Sequence, residues 1–273
     1  MLQKTIDFSH YTSVKIGAIQ PLNFIESLED YDMFLQSGTP INIVGKANNL
    51  LISPNAKNLI TLSKKFDYIK DLGDCLEVGA ATPSGRLFSY AKCKNLFGFE
   101  ILSKLPGSIG GIIKMNAGLK TYAIKDVLQG ILMLDSNTKL CFKSVESLGL
   151  TYRNSAISGL IFAGIFKKQA NFNSSLVETF TKMRQNQPKE PSFGSCFKNP
   201  KGNFAGALIE NVGLKGVKFG KNKSLMFSPI HANFLVNLGN SSFEEALDLI
   251  QLAKEKVYTE SKITLENEVQ IIL

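Results

Sequence analysis

The chain has 273 residues, 44% of them hydrophobic, and a formal net charge of +8 at pH 7; that is enough for two or three small domains with packed cores. No apolar run reaches the ~18 residues of a membrane span, and the start Met1–Phe8 lacks the apolar stretch and cleavage site of a secretory signal, so a cytoplasmic protein is expected. Cys75, Cys93, Cys141 and Cys196 are scattered without a Cys-x-x-Cys pair or nearby histidine, which argues against a disulfide framework or a zinc site, and the dispersed lysines form no nucleic-acid tract; most read as solvated surface charge, and phosphorylated or carboxylated ligands would also suit the balance.

Taken in order, Tyr11–Gly17 reads as an edge strand ending at a glycine turn. Ile41–Val44 and Leu50–Ser53 read as strands around the loop Gly45-Lys46-Ala47-Asn48-Asn49. Such a loop presents backbone amides to a diphosphate, although a plain hairpin has the same pattern. Leu59–Leu62, Tyr68–Ile69 and Cys75–Val78 are short β segments. Thr82-Pro83-Ser84 predicts a helix start, with threonine as cap and proline in the first turn. Leu87, Phe88, Ala91 and Leu96 then form a helical core stripe.

The stretch Leu105 to Gly118 holds four glycines and one proline and closes on Met115-Asn116-Ala117-Gly118. Glycine lets backbone approach a ligand closely, and freed amides make an anion cradle; two adjacent tight turns are the plain alternative. The pattern is neither Gly-x-Gly-x-x-Gly after a strand nor a Walker loop, so the anion stays open. Strands follow at Val127–Leu134, Leu140–Phe142 and Leu160–Phe166, and strands interleaved with few helices indicate an α+β fold. Tyr152-Arg153-Asn154-Ser155 lies between the last two; its arginine fork suits carboxylate or phosphate.

Ser175–Glu178 has the capping-box pattern, with Pro188 as a stop. Gly194-Ser195-Cys196-Phe197-Lys198-Asn199-Pro200 packs donors between two breakers, as a turn before a helix also would. A Ser/His hydrolase lacks its Gly-x-Ser-x-Gly elbow, and a Cys196/His231 pair is conceivable on counts alone. Ser241–Glu244 repeats the capping box ahead of an apolar helical face, and Leu265–Val269 leads into a terminal strand.

Leu105 to Gly118, with Gly98-Phe99-Glu100 upstream, resembles the flavin-binding signature of the UDP-N-acetylenolpyruvoylglucosamine reductase family. The likeness runs in order from Thr12 to Val269: Thr-Ser-x-Lys-Ile-Gly at 12–17, Tyr-Arg-x-Ser at 152–155, Gly-Ser-x-Phe-Lys-Asn-Pro at 194–200, Ala-Gly-x-Leu-Ile-Glu at 205–210, Gly-Leu-Lys-Gly at 213–216 and Leu-x-x-Glu-Val at 265–269. The short stretch between Phe166 and Gly194 makes the chain similar to the second, shorter subgroup.

The resemblance implies an FAD-binding module in two parts of the vanillyl-alcohol-oxidase-like (PCMH-type) class, 1–63 and 64–168, and an α+β substrate-binding domain, 169–273. It implies NADPH-driven, FAD-dependent reduction of UDP-N-acetylglucosamine-enolpyruvate to UDP-N-acetylmuramate by a cytoplasmic monomer acting on small molecules, without nucleic acid or membrane. Flavin contacts would come from Gly45, Ala47, Asn48, Asn49, Leu50 and Leu51, from Leu105, Pro106, Gly107, Ser108, Gly110 and Gly111, and from Asn116, Ala117 and Gly118. Ala47 replaces a family glycine and dislikes positive φ, whereas Asn48 would tolerate it. Arg153, Ser195 and Glu268 would be catalytic, Glu268 with a pKa raised by burial. Tyr152, Lys198, Asn199 and His231 would meet the substrate, Glu266 is a bystander, and Gln270 stands where some members carry arginine. The rivals are another FAD oxidoreductase of the same fold acting on a hydroxy acid or sugar, and a non-enzymatic nucleotide or nucleic-acid binder.

Overall fold

In a computed structural model, which describes residues 1–273, the expected middle strands form one five-stranded antiparallel sheet. Its order is Leu140–Ser144, Leu128–Leu134, Ala163–Lys167, Cys75–Gly79, Ile69–Asp71. Helices Ser84–Cys93, Ile109–Lys114 and Ser174–Met183 supply apolar faces to a core that includes Leu76, Ile112, Ile131, Phe166 and Phe180. Glu100, 1% exposed, sits within this core because its carboxylate accepts the amides of Gly98 (2.6 Å) and Asn173 (2.7 Å). A buried carboxylate is tolerated when hydrogen bonds replace its water. The Gly-Phe-Glu motif is thereby explained as architecture.

The chain divides by contact into two units built from discontinuous stretches: 1–4, 22–46 and 58–185, and 5–21, 47–57 and 186–273. The first also holds strands Ile19–Ile25, Leu59–Leu62 and Asn42–Ile43 in a four-stranded sheet with Leu2–Asp7 at its edge. The second is a three-stranded antiparallel sheet of Ser192–Ser195, Phe234–Asn237 and Leu225–Phe227, with helices Ala205–Asn211 and Phe243–Ser261. A parallel pair, Leu50–Ile52 with Gln270–Ile272, joins it.

This partition differs from the expected 1–63, 64–168 and 169–273: residues 169–185 go with the first unit because Phe180 is in its core, and Val14, Ile16 and Leu51 carry their segments into the second. The α+β class is as expected.

Several local readings are corrected. Tyr11–Gly17 is not a strand: Phe8–Tyr11 is a helical turn, and the Thr12 hydroxyl pins the following loop by bonding both Ile16 O and Ile16 N–H. Pro83, not Thr82, caps Ser84–Cys93; the Thr82 hydroxyl is instead spent on Tyr68 O and Tyr68 N–H. The cap of Ser174–Met183 is Asn173 rather than Ser175, and the capping box of the last helix is Ser242 with Glu245, one residue on from the expected pair.

Candidate active site

In the first unit the loop from Leu105 lies against residues 80–84. Ser84 N–H donates to Gly107 O at 3.0 Å, Ile109 N–H to Thr82 O at 2.9 Å and Gly110 N–H to Ala80 O at 2.9 Å. The close approach explains Gly110: a Cβ there would lie 3.0 Å from Ala80 Cβ and 3.3 Å from Ala80 O. Gly45 is also tight, since its Cβ would come 2.9 Å from Ser108 Oγ, which would have to turn away. With the Ile109 and Gly110 amides spent on this docking, those of Gly107, Ser108 and Gly111 are the ones left for an anion.

The helix Ile109–Lys114 ends on Asn116 at φ 39°, with Asn116 N–H bonded to Ile113 O and Ala117 N–H to Ile112 O; this is a left-handed helix stop. Asn116 is 5% exposed. Its Nδ2 donates to Thr151 O at 2.9 Å, while its Oδ1 is buried without a partner.

That bond anchors the Tyr152-Arg153 turn. Thr151 and Asn154 pair across it, and Ser155 Oγ donates to Lys114 O at 2.7 Å. Arg153 is held at φ 53°, a conformation costing an L-residue about 1–2 kcal/mol, and its Nη2 donates to Gly118 O at 2.8 Å. Gly118 itself admits no side chain, because a Cβ would lie 2.3 Å from Tyr122 O. The exposed ring of Tyr152 stands 5.7 Å from Arg153 Cζ. Loop 105–118 and Arg153 thus form one hydrogen-bonded assembly. Sequence reasoning missed a second guanidinium in this unit, Arg184, whose pKa is pushed down by burial and by the Arg153 charge. It borders a cavity of about 390 Å³ with Lys104, Leu105, Pro106 and Phe88.

In the second unit, the loop after Lys46 is no hairpin: Asn42–Ile43 pairs with Leu59–Leu62 and Leu50–Ile52 with Gln270–Ile272. The positive φ falls on Ala47, at 49°, not on Asn48. Ser13 holds this turn through Ala47 O and Asn48 O. Asn49 grips the C-terminal segment: its Nδ2 donates to Glu268 O at 2.9 Å and its O accepts Gln270 N–H at 3.0 Å. Leu51 is core, and Leu50 is half-buried.

The residue after Ser195 meets the Glu268 segment, far away in sequence, through its carbonyl. Cys196 O accepts the amides of Glu268 (2.9 Å) and Val269 (3.2 Å). Both Ser195 and Glu268 are partly exposed. Cys196 is enclosed, and burial pushes its thiol well up, which disqualifies it as a nucleophile beside His231. Glu266 is the ion partner of Lys198, at 3.5 Å. Asn199 Oδ1 accepts Ala205 N–H at 3.0 Å, leaving the Asn199 NH₂ for a ligand. His231 packs against Phe234, 5.0 Å between ring centres, and its Nδ1 accepts Asn233 N–H at 3.3 Å. Burial lowers its pKa, with Lys215 adding to the effect. Sequence reasoning also missed Asn233 and Asn237, 3% exposed each, although two asparagines in an apolar run were the available signal.

Residues 186–272 match the family described as UDP-N-acetylenolpyruvoylglucosamine reductase, C-terminal domain, and residues 31–141 the FAD binding domain family. UDP-N-acetylenolpyruvoylglucosamine reductase of Helicobacter hepaticus is 50% identical, with 98% of each chain covered. That of Helicobacter pylori is 47% identical, with 100% of each covered. The crystal structure of the Thermus caldophilus enzyme superposes with a TM-score of 0.86 at 28% identity, covering 100% of both chains. The residues present fit a flavin dinucleotide: Gly45 and Gly110 keep backbone close, three loop amides remain for phosphate, and Asn116 Oδ1 is a buried acceptor awaiting a donor.

Proposed function

This chain belongs to the UDP-N-acetylenolpyruvoylglucosamine reductase family, and we propose that Arg153, Ser195 and Glu268 carry its chemistry. The protein is an FAD-dependent, NADPH-driven oxidoreductase that reduces enolpyruvyl-UDP-N-acetylglucosamine in peptidoglycan synthesis. Bound FAD supplies the redox step between NADPH and the enolpyruvyl double bond. We assign its binding to the segments 1–63 and 64–168, through Gly45–Leu51 without Lys46, through Leu105–Gly111 without Ile109, and through Asn116, Ala117 and Gly118. Substrate binding falls to the C-terminal part of the chain with Tyr152.

The protein's own part begins with charge. Reduction drives electron density toward the substrate carboxylate, and Arg153 offers a permanently charged fork already fixed by Gly118 O, so little reorganisation is needed when charge develops. Ser195 gives its hydroxyl proton to the neighbouring carbon. Serine is a weak acid, so it must face a strongly basic intermediate and be reprotonated from water or lysine. Glu268 assists protonated, or as the acceptor that orients a donor. Lys198, whose partner Glu266 is largely exposed, is available to a substrate diphosphate, because such ion pairs are weak. The Asn199 amide and His231 complete the contacts. The enzyme acts in the cytoplasm as a monomer, so light scattering should return about 30.0 kDa.

The observation carrying this reading is the pair of hydrogen bonds from Glu268 and Val269 to Cys196 O, which brings the glutamate's main chain to the residue after Ser195. Ser195→Ala should retain FAD and its reduction by NADPH yet lose at least ~100-fold in turnover of the UDP-sugar. Unchanged turnover would remove Ser195 from the mechanism.

A further inference from the structure

We propose that Asn233 is a positioning residue for this reaction, fixing the main chain that follows Ser195 against the segment bearing Glu268. The inference rests on Ser195 being the proton donor. Ser192–Ser195 pairs with Phe234–Asn237, but Ser192 faces Val236 and Ser195 faces Phe234, so one extra residue is inserted in the first strand. Gly194, at φ 84°, absorbs it. A bulge of this kind re-aims the residue beside it, and the strand ladder ends at Ser195.

Beyond that point Asn233 takes over. Its O accepts Cys196 N–H at 2.7 Å, its Oδ1 accepts Phe197 N–H at 3.0 Å, and its Nδ2 donates to Phe197 O at 2.8 Å. The side-chain amide therefore acts as one more peptide unit of the sheet. The other side of the same segment is held by residues 266–269: Cys196 O receives Glu268 and Val269, and Lys198 N–H donates to Glu266 O at 2.9 Å. Residues 196–198 thus form a slat between Asn233 and the glutamate segment, with Ser195 at its end. Cys196 and Phe197 are wholly buried, so water cannot replace these bonds.

Only an amide offers one acceptor and one donor in this geometry. Aspartate would set a carboxylate against Phe197 O, and serine is too short to satisfy both groups. Asn233 touches Ser195 only through the main chain, so its loss should shift the hydroxyl by a fraction of an ångström, while the Lys198 main chain stays held by Glu266 O. A displacement of about 1 Å at a reacting group can cost 100-fold.

The test uses the flavin-loaded full-length enzyme and Asn233→Asp, Asn233→Ser, Ser195→Ala and the double variant Asn233→Asp/Ser195→Ala. Flavin content, flavin reduction by NADPH, kcat, KM and melting temperature are measured for each. Asn233→Asp should keep the first two, change KM less than about twofold and lose roughly 10- to 100-fold in kcat. On the Ser195→Ala background it should cost nothing further, because the two act through one group. Asn233→Ser is read in the same way if the aspartate variant does not fold. Equal losses on both backgrounds, a rise in KM in place of a fall in kcat, or a lower melting temperature with kcat intact would each overturn the inference. Full turnover by Ser195→Ala alone would instead overturn the proton-donor assignment beneath it.

Discussion

Gly110 and Gly111 are neighbours in the same short helix, yet an added methyl should have opposite effects at the two. At Gly110 the new Cβ would sit 3.0 Å from Ala80 Cβ and 3.3 Å from Ala80 O, the carbonyl that already accepts the Gly110 amide. Backbone on one side and a methyl on the other leave no flexible neighbour to yield. Overpacking of this kind costs about 1–3 kcal/mol; because the helix-propensity gain is common to both sites, at 2–4 °C per kcal/mol for a chain of this size flavin-free Gly110→Ala should melt about 2–12 °C below flavin-free Gly111→Ala. At Gly111 the nearest atom is Ser108 Oγ at 3.6 Å, an ordinary contact. Gly111→Ala should therefore gain up to ~1 kcal/mol of helix propensity in the flavin-free protein, while weakening FAD at least ~10-fold if the Gly111 amide faces the pyrophosphate, since a methyl there stands in the ligand's way. Melting of the apoprotein and fluorescence titration with FAD separate the two quantities. Equal melting temperatures for flavin-free Gly110→Ala and Gly111→Ala would refute the steric argument. Full FAD affinity in Gly111→Ala would refute the placing of the cofactor on this backbone.

The corrected helix start is testable by a pair of alanines. Ser242→Ala should lower stability by about 1 kcal/mol in chemical denaturation, because Ser242 Oγ accepts the Glu245 amide, whereas Ser175→Ala should stay within about 0.5 kcal/mol. His231 gives a pH dependence. Its folded pKa lies below the unfolded 6.5, so the unfolded chain binds the proton more tightly and stability falls as pH drops below about 6.5. Denaturation of His231→Gln should show a shallower acid-side decline than the parent between about pH 6.5 and 5, and an identical slope would remove His231 from that decline.

The parts of the site legible in sequence were those where chemistry restricts residue type. Glycines at 110 and 118 announce close backbone, and Arg153, Ser195 and Glu268 sit in motifs whose neighbours turn out to hold them: Ser155 and Asn116 for the arginine turn, Cys196 O for the glutamate. What stayed hidden depends on partners far away in the chain. Apolar Val14, Ile16 and Leu51 say only that they are buried, not in which core, so the two-unit partition could not be read from them. Thr82 looks like a cap until Tyr68 claims its hydroxyl from fourteen residues upstream. Nor does the sequence tell that the Asn49 amide holds Glu268 O. For Thr82 and Asn49 alike, a polar side chain has several plausible clients, and the fold shows which ones it serves.

The parallel pairing of Leu50–Ile52 with Gln270–Ile272 has a consequence for how the molecule is made. Asn49 and Glu268 are 219 residues apart, so Leu50–Ile52 acquires its neighbour only across a very long loop. Such long-range closure is slow. In refolding, the segments of the first unit can therefore pair among themselves while Leu50–Ile52 is still without its neighbour. The second unit closes late, and a slow phase confined to it is the trace that this pairing should leave.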